Sequence, residues 1–479
     1  MLTLENIMIC SYIINFMLII VVVFFQRRDP IVSMAWVLCF LLFPIGGLVI
    51  FLIFGLGMKR RTRRIYLEKQ IFGEQMANRL HRQIDFFDMA EAKDIPELDI
   101  VRYFCKYHSL YTQNNSVEIF TEAKDKYRQL LKDIEGAKQS INMLYFIIRD
   151  DAIGNRIMDA LVKKANEGVI VRFLYDSIGC FTTPRKFFRR LKRSKCGKVA
   201  KFFPVNIFTL SKINHRNHRK IVVIDEKIAY LGGMNIGDEY MGKRRLNPWR
   251  DTHIRIMGES VKSVYKYFCL DWDFSTRDNL AATLDTLFSE ENDAEANDYL
   301  PMQIVASGPD SPAEEIKCGM IKMLNSARHY AYIQTPYFVP DQPFINALVM
   351  AADSGVDVRL MLPGKPDKPY VYYTSFSYLE EMLNAGVKVY LHPGFIHSKT
   401  IVVDDKTATI GTTNIDIRSF QLHFELNAFM YSSKVAGECR QIFESDQSIS
   451  HELTAEEYEN RPRITRIKEG FFRLFSPIM

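Results

Sequence analysis

The chain contains one polar pattern twice, and this repetition constrains its fold more strongly than any other feature of the sequence. Each copy reads H-x-K-x4-D-x6-G-x2-N, in which x stands for any residue. A single H-x-K-x4-D is weak evidence in a long chain, but two copies with the same downstream glycine and asparagine indicate duplicated chemistry. The repeated residues are His218, Lys220, Asp225, Gly232 and Asn235 in the first copy and His397, Lys399, Asp404, Gly411 and Asn414 in the second.

The segments ahead of each copy alternate between strand and helix patterns. Residues 140–148 form an apolar run typical of a buried strand, residues 152–168 an amphipathic helix, and residues 169–175 a second apolar strand. The same order returns between residues 331 and 362. Strand, helix and strand in this order predict β-α-β units with parallel strands. We therefore expect an α/β body built from a duplication of roughly 180 residues, too long for a solenoid repeat.

The residues of the two copies can act together on a phosphodiester. Residues two apart on a strand point to the same face, so each histidine and its lysine should project together. A tight hairpin and a second strand follow, and these return each asparagine to its lysine. Lysine and asparagine supply donors for phosphate oxygens. One histidine can attack phosphorus while the other protonates the leaving oxygen, so no metal ion or other cofactor is expected.

A histidine nucleophile works better when a carboxylate holds its second nitrogen. Each half offers one a few tens of residues beyond its motif, and we interpret Asp251 and Glu425 as histidine-orienting acids. Asp225 and Asp404 belong to the catalytic pattern, but we expect them to brace the hairpins rather than contact substrate. A zinc site is disfavoured, because neither half has a second histidine or cysteine at ligand spacing.

Residues 1–58 predict a membrane anchor. The uncharged run 7–25 would extend roughly 28 Å as a helix, close to the thickness of a bilayer's hydrocarbon core. A second uncharged run, 31–58, contains proline and glycine, which could also mark a kink or a re-entrant segment. We predict a two-helix transmembrane hairpin rather than a signal peptide, because no basic residue precedes the first run. Basic residues are denser at 59–64 than at 27–28, which favours a cytoplasmic main domain.

Composition excludes several classes of protein. Hydrophobic residues make up 48% and charged residues 25% of the chain, which is typical of a folded protein rather than a disordered one. The eight cysteines form no C-x-x-C pair, so neither a disulfide scaffold, a zinc ribbon nor a redox dithiol is indicated. The net charge of +6 fits an anionic partner without choosing between lipid and nucleic acid.

The double pattern resembles the phospholipase D superfamily, and further segments narrow the resemblance to the bacterial cardiolipin synthases. The resemblance covers nearly the whole chain. It implies two duplicated phospholipase D-type halves, which pack about a pseudo-twofold axis and follow the membrane hairpin in the chain. One departure is that Gly233 and Thr412 stand where serine is commonest in the family. Thr412 keeps a hydroxyl, whereas Gly233 removes one possible phosphate donor. The segments that carry the closer resemblance are the hairpin, 145–151, 249–253, 335–341 and 418–425.

The resemblance implies a metal-independent phosphatidyl transfer in which two phosphatidylglycerol molecules give cardiolipin and glycerol through a covalent phosphohistidine. It makes His218 the nucleophile and His397 the acid and then the base, although the sequence itself leaves the order open. One alternative is a phospholipase D or related phosphodiesterase, nuclease included, that uses water or another alcohol. Another is a non-catalytic membrane scaffold, against which the two complete motifs argue. The predicted membrane hairpin favours the synthase over the phospholipase D or phosphodiesterase alternative. It also argues against a nucleic acid partner.

Two basic stretches interleaved with aromatic residues, 185–201 and 461–475, predict anchors on an anionic membrane surface, with a solvated charged face as the alternative. The loop 363–370 is expected near the seam between the halves, in contact with substrate. We expect a multi-pass protein of the cell membrane. Its expected partners are phosphatidylglycerol and anionic membrane lipid. The second lipid and the oligomeric state are left open. The expected divisions are 1–58 for the hairpin, 59–110 for a basic helical connector, 111–290 for the first half and 291–479 for the second.

Overall fold

A computed structural model provides the structure of the chain. The end of the second uncharged run and the basic cluster at 59–64 fall outside the described residues, so the predicted connector is seen only from residue 73 onward. The structure describes residues 4–26, 30–51, 55, 73–89, 95, 97–204, 214–242, 249–289, 299–311 and 313–478.

The described α-helices flank a central sheet or precede it in the chain. They are α1 (Leu4–Ile20), α2 (Pro30–Leu42), α3 (Pro44–Ile50), α4 (Gly73–Asp88), α5 (Leu98–Cys105), α6 (Ala123–Gly136), α7 (Ala152–Asn166), α8 (Arg185–Lys192), α9 (Ser260–Thr276), α10 (Leu284–Ser289), α11 (Glu315–Ser326), α12 (Gln342–Asp353), α13 (Pro369–Phe376), α14 (Leu379–Asn384), α15 (Ile417–Gln421), α16 (Ser433–Ser448), α17 (Ala455–Glu459) and α18 (Arg463–Arg473).

The strands fall into one large sheet and two short pairs. They are β1 (Tyr111–Phe120), β2 (Ser140–Tyr145), β3 (Ile170–Asp176), β4 (Gly197–Phe202), β5 (Ile221–Ile224), β6 (Ile228–Gly232), β7 (Trp249–Arg250), β8 (His253–Gly258), β9 (Tyr299–Ser307), β10 (Tyr330–Gln334), β11 (Phe338–Val339), β12 (Asp357–Pro363), β13 (Lys388–His392), β14 (Phe395–Ile396), β15 (Thr400–Val403), β16 (Thr407–Gly411), β17 (Ile415–Asp416), β18 (Glu425–Met430) and β19 (His451–Leu453).

The large sheet has 15 strands and repeats one strand order in its two halves. From the centre outward, the first half runs β1-β8-β6-β5-β2-β3-β4 and the second runs β9-β18-β16-β15-β10-β12-β13, with β19 added at the edge. The halves join where β1 pairs antiparallel with β9. This matched order confirms that the chain is a duplicated α/β body. The short pair β14-β7 also links the halves, because Phe395 lies opposite Trp249.

The predicted β-α-β units are confirmed in both halves. Strands β2 and β3 are parallel and are joined by α7, while β10 and β12 are parallel and are joined by α12. Each helix begins at an aspartate, Asp151 or Asp341, whose side chain accepts a hydrogen bond from a backbone N–H of the first turn. All residues of β5 and of β16 are buried, which explains the apolar sequence of β5.

Asp225 and Asp404 form the turns that follow the motif strands. Both adopt left-handed backbone conformations, with φ of 51° and 52°, which aspartate tolerates better than bulkier residues. The Asp225 carboxylate accepts hydrogen bonds from the backbone N–H groups of Lys138, Gln139 and Ser140 at 2.7–2.8 Å. Asp404 accepts the equivalent set from residues 328–330. These carboxylates therefore fix the hairpins to the neighbouring strands, and their place in the catalytic pattern reflects structure rather than chemistry.

We expect Asp225→Ala to destabilise the fold by about 2–4 kcal/mol, because three backbone donors lose a charged acceptor. In detergent, this should lower the melting temperature by several degrees, and Asp404→Ala should do the same. Turnover per folded molecule should stay within about threefold of the parent, since neither carboxylate contacts a motif histidine. A large loss of turnover at an unchanged melting temperature would contradict this role.

The N-terminal segment begins with the long apolar helix that the sequence predicts. Among the described residues, one helical stretch, Met8–Phe25, is long and apolar enough to cross a membrane. The second uncharged run is divided at Phe43 into the shorter helices α2 and α3. Asn15 Nδ2 of α1 donates to the carbonyl oxygens of Phe40 and Pro44, at 3.1 and 2.8 Å, so hydrogen bonds join α1 to α2 and α3.

The prediction of a membrane anchor at residues 185–201 is wrong for its apolar side chains. Phe187, Phe188 and Leu191 lie on one face of α8 and are all buried in the core of the first half. The Phe188 ring stacks on Tyr175 with centroids 3.8 Å apart. Helical spacing places the three apolar residues together on the inner face and leaves the basic residues outside, so residues 185–192 form an ordinary amphipathic helix.

Candidate active site

A pocket of about 650 Å³ lies between the two halves and collects the central residues of both motifs. His218, which precedes β5, and His397, which precedes β15, both line it. Asn235 and Asn414, which follow β6 and β16, line it as well. The structure therefore brings together, at one site, residues that are far apart in the sequence.

The orienting carboxylates are exchanged between the halves. His218 Nδ1 lies 2.9 and 3.1 Å from the two oxygens of Glu425, which begins β18 in the second half. His397 Nδ1 lies 2.6 Å from Oδ2 of Asp251 in the first half. A carboxylate only accepts, so each Nδ1 carries the proton and each Nε2 is left with a lone pair for chemistry. Neither half can therefore form a complete histidine–carboxylate pair by itself.

The two lysines lie beneath the histidines and are buried. Lys220 Nζ donates to the His218 carbonyl oxygen at 2.6 Å, and Lys399 Nζ donates to the His397 carbonyl oxygen. Lys399 Nζ also lies 2.9 Å from His397 Nδ1, but the proton of that nitrogen is directed to the closer Asp251 carboxylate. Each lysine keeps further N–H donors, which suits a role in neutralising a bound phosphate.

The two asparagines are not equivalent. Asn235 uses both ends of its amide, since Oδ1 accepts from the Ile147 N–H at 3.1 Å and Nδ2 donates to Tyr240 Oη at 3.1 Å. The Asn414 side chain hydrogen-bonds to the Asp416 carboxylate, while its buried Oδ1 has no partner among the described residues. Both asparagines line the pocket, but their hydrogen-bond partners differ, so their phosphate-binding role stays a prediction.

Gly233 and Thr412 have structural roles at the orienting acids. A Cβ at Gly233 would lie 2.1 Å from Asp251 Oδ1, so only glycine leaves room for that carboxylate. The Thr412 hydroxyl donates to Glu425 Oε2 at 2.5 Å and holds the second acid in place. The Thr412 hydroxyl is therefore used by Glu425, and Gly233 has no side chain with which to donate to a phosphate.

Burial and positive charge keep both histidines neutral. Burial, together with nearby Lys220 and Lys399, holds the pKa of His218 well below its usual range. Burial and Lys399 lower the pKa of His397 to about 4, and the Asp251 carboxylate opposes part of that shift. An anionic substrate would raise both pKa values, so protonation of the acid is coupled to phosphate binding.

Lys399 gives the site an alkaline limit. Burial lowers its pKa to about 8, although Asp251 and Glu425 oppose the shift. The protonated form is the one that neutralises phosphate, so kcat/KM should fall as pH rises through about 8. In Lys399→Arg the guanidinium stays charged, and the alkaline limb of whatever activity remains should move to higher pH. Measurements of kcat/KM from pH 6 to 10 for both proteins test this prediction. If the alkaline fall in kcat/KM does not move in Lys399→Arg, a group other than Lys399 causes it.

Several pocket residues lie outside the two motifs and were not recognised in the sequence. Tyr240 Oη is 3.4 Å from His397 Nδ1, and its ring packs against Trp249. Arg149, Arg216 and Arg418 also line the pocket and give it positive charge. From the predicted loop 363–370, the structure brings Asp367, Lys368 and Tyr370 to the pocket wall. The repeated pattern by itself did not reveal Tyr240 or the three arginines, because they lie outside it.

One cluster at the site has the side chains of a metal site. The ligand atoms of His218, His423 and Glu425 lie within 4.8 Å of one another. Neither half has zinc-ligand spacing by itself, but in the structure His218 lies beside two residues of the other half. The Glu425 oxygen at this point already accepts from His218 Nδ1 at 2.9 Å, so a metal ion would have to compete with that hydrogen bond.

Comparison with known families agrees with this geometry. A family model described as "Cardiolipin synthase, PLD-like domain" matches residues 130–266 and 320–447. A protein named cardiolipin synthase from Oceanobacillus iheyensis is 41% identical over 98% of both chains. A protein named major cardiolipin synthase from Bacillus subtilis is also 41% identical over 98% of both chains. The two matched segments contain both H-x-K-x4-D motifs and the acids that hold their histidines.

Among solved structures, a phosphatidylserine synthase of Haemophilus influenzae has the same fold. The two superpose with a TM-score of 0.60 over 76% of this chain and 95% of that one, at 15% sequence identity. At this identity the likeness concerns the fold, and it agrees with the duplicated strand order described above.

Proposed function

The chain belongs to the cardiolipin synthase family of the phospholipase D superfamily, and on that premise we propose that it transfers a phosphatidyl group between two phosphatidylglycerol molecules, giving cardiolipin and glycerol. The observation that carries this proposal is the pocket in which two neutral histidines are each held by a carboxylate of the other half. Such a pair supplies one nucleophile and one acid at a single phosphodiester.

We assign the nucleophile to His218 and the acid to His397. This order is the one that membership of the family implies, because the geometry treats the two rings alike: a carboxylate of the other half holds Nδ1 of each. In the first step His218 Nε2 attacks phosphorus, the bond to the glycerol oxygen breaks, and His397 gives that oxygen a proton. In the second step His397 takes the proton from a hydroxyl of the second phosphatidylglycerol, whose oxygen attacks phosphorus and releases His218.

The second half of the pocket suits the glycerol part of the substrate. Asn414 Oδ1 is a buried acceptor without a partner among the described residues, and the Asp416 carboxylate lies beside it. Acceptors of this kind favour hydroxyl groups over phosphate oxygens. The cationic groups Lys220 and Lys399 would instead bind the phosphate, so the asymmetry of the two asparagines orients the lipid.

We further propose that the N-terminal helices form a transmembrane hairpin that holds the catalytic body on the cytoplasmic side, with halves 111–290 and 291–479 related by a pseudo-twofold axis. The hydrogen bonds between α1 and the junction of α2 and α3 support the hairpin. The repeated strand order and the central antiparallel β1-β9 pair support the axis.

A product assay tests the transfer reaction. Purified protein in phosphatidylglycerol membranes, with a chelator present, should release glycerol and form cardiolipin in equal amounts. Phosphatidic acid with glycerol would mean that water is the acceptor and that the chain acts as a phospholipase D. Loss of activity with the chelator, restored by a metal ion, would contradict the metal-independent mechanism and point to the His218–His423–Glu425 cluster.

A further inference from the structure

The last helix, α18, lies on the rim of the active-site pocket. Its inner face packs on α13, where the Phe472 ring stacks on Tyr373 with centroids 5.9 Å apart. Arg473 donates to the Ser377 carbonyl oxygen at 3.0 Å. Helix α13 itself supplies Tyr370 to the pocket wall. The helix is therefore fixed to the wall of the active site rather than being a loose tail.

The outer face of α18 is an exposed apolar surface. Its residues recur at helical spacing, so they form one continuous strip along the helix. Ile467 is 66% exposed and Leu474 is 75% exposed, which is unusual for such side chains in a folded protein. We call this surface the C-terminal apolar strip, and it consists of Ile464, Ile467, Phe471 and Leu474.

The strip continues into the pocket and is flanked by positive charge. Phe475, two residues beyond the end of α18, lines the pocket and is also exposed to the outside. Arg463, Arg466 and Lys468 are exposed beside the strip. Ile178, from the first half, also lines the pocket and is exposed. An apolar strip with cations along its edges matches the interface of an anionic bilayer, where acyl chains meet acidic headgroups.

We propose that the C-terminal apolar strip inserts into the interface of an anionic bilayer and opens the pocket directly to lipid in that bilayer. The substrate then reaches His218 and His397 by sliding along Phe475 without its acyl chains entering water. This inference rests on the proposed function for the identity of the lipid. Beyond that function, the inference identifies the surface that contacts the membrane and the route by which the lipid headgroup enters the site.

Insertion is tested on the full chain reconstituted in phosphatidylglycerol vesicles. Leu474→Trp adds an indole on the strip, and Met350→Trp is the matched control, since Met350 is 61% exposed on α12 and does not line the pocket. The difference in emission from the parent protein isolates the added indole. Lipids brominated on their acyl chains should quench the indole of Leu474→Trp and leave that of Met350→Trp unchanged. Equal quenching of the two would overturn the proposal.

Substrate delivery is tested by kinetics. In mixed micelles, Ile467→Asp with Leu474→Asp should raise the apparent KM for long-chain phosphatidylglycerol by about tenfold or more, since two apolar contacts with lipid are lost. Turnover of a short-chain, monomeric phosphatidylglycerol should be unchanged, which shows that the variant is folded and its site intact. Met350→Asp should change neither value. An unchanged KM for the long-chain lipid would overturn delivery through the strip.

The quenching outcome is independent of the proposed function. If the parent chain converts neither lipid to cardiolipin, the proposed transfer fails, while the quenching result still decides whether the strip lies in the membrane. If the parent is active and the two variants lose activity on both the short and the long lipid, the strip has a structural role and the proposal is overturned.

Discussion

His218→Ala should lower phosphatidyl transfer by about 10⁴-fold or more, because no other group can form the covalent intermediate. His397→Ala should lower transfer between two phosphatidylglycerol molecules about as strongly, since the glycerol oxygen then leaves without a proton. The rates are measured as cardiolipin formed by purified protein in detergent micelles. Melting temperatures should stay near that of the parent, because both rings line the pocket rather than the core.

A change of leaving group separates the roles of the two histidines. In a phosphatidyl ester of p-nitrophenol, the leaving oxygen needs no acid to depart. His397→Ala should therefore release a burst of nitrophenol with this substrate, while His218→Ala should release none. A burst from His218→Ala alone would reverse the assignment. Bursts from both variants, or near-normal transfer by either, would contradict a shared two-histidine site.

The local structure of each half could be predicted from the sequence, because it depends on short-range patterns. Apolar runs and helical spacing placed β2, α7 and β3 within a few residues of their observed bounds. Asp225 was correctly interpreted as a hairpin brace, since a polar residue at a tight turn has few other functions. The duplication also placed both histidines at one site, because equivalent halves that pack together bring equivalent residues to their seam.

Contacts between the halves could not be predicted in the same way. The exchange of Asp251 and Glu425 depends on how the two halves face each other, which no spacing within one half encodes. For the same reason His423 was missed as a neighbour of His218. The error at α8 is different, because helical spacing already placed Phe187, Phe188 and Leu191 on one face. Composition alone suggested a membrane anchor there, whereas periodicity would have indicated a buried face.

Glu425→Gln should lower kcat by about 10²–10⁴-fold, because the neutral amide cannot stabilise the positive charge that develops on His218 as it attacks phosphorus.

The exchange of acids between the halves makes a sharper prediction about the activated ester. Glu425→Gln should match His218→Ala and fail to release nitrophenol from the activated ester. Asp251→Asn should match His397→Ala and release it, although both variants lose transfer to the natural acceptor. Gln and Asn keep the size and the carbonyl acceptor of the native acids, so packing around Thr412 and Gly233 is preserved. If Asp251→Asn rather than Glu425→Gln prevents the burst, each acid serves the histidine of its own half during turnover, and the two halves act separately.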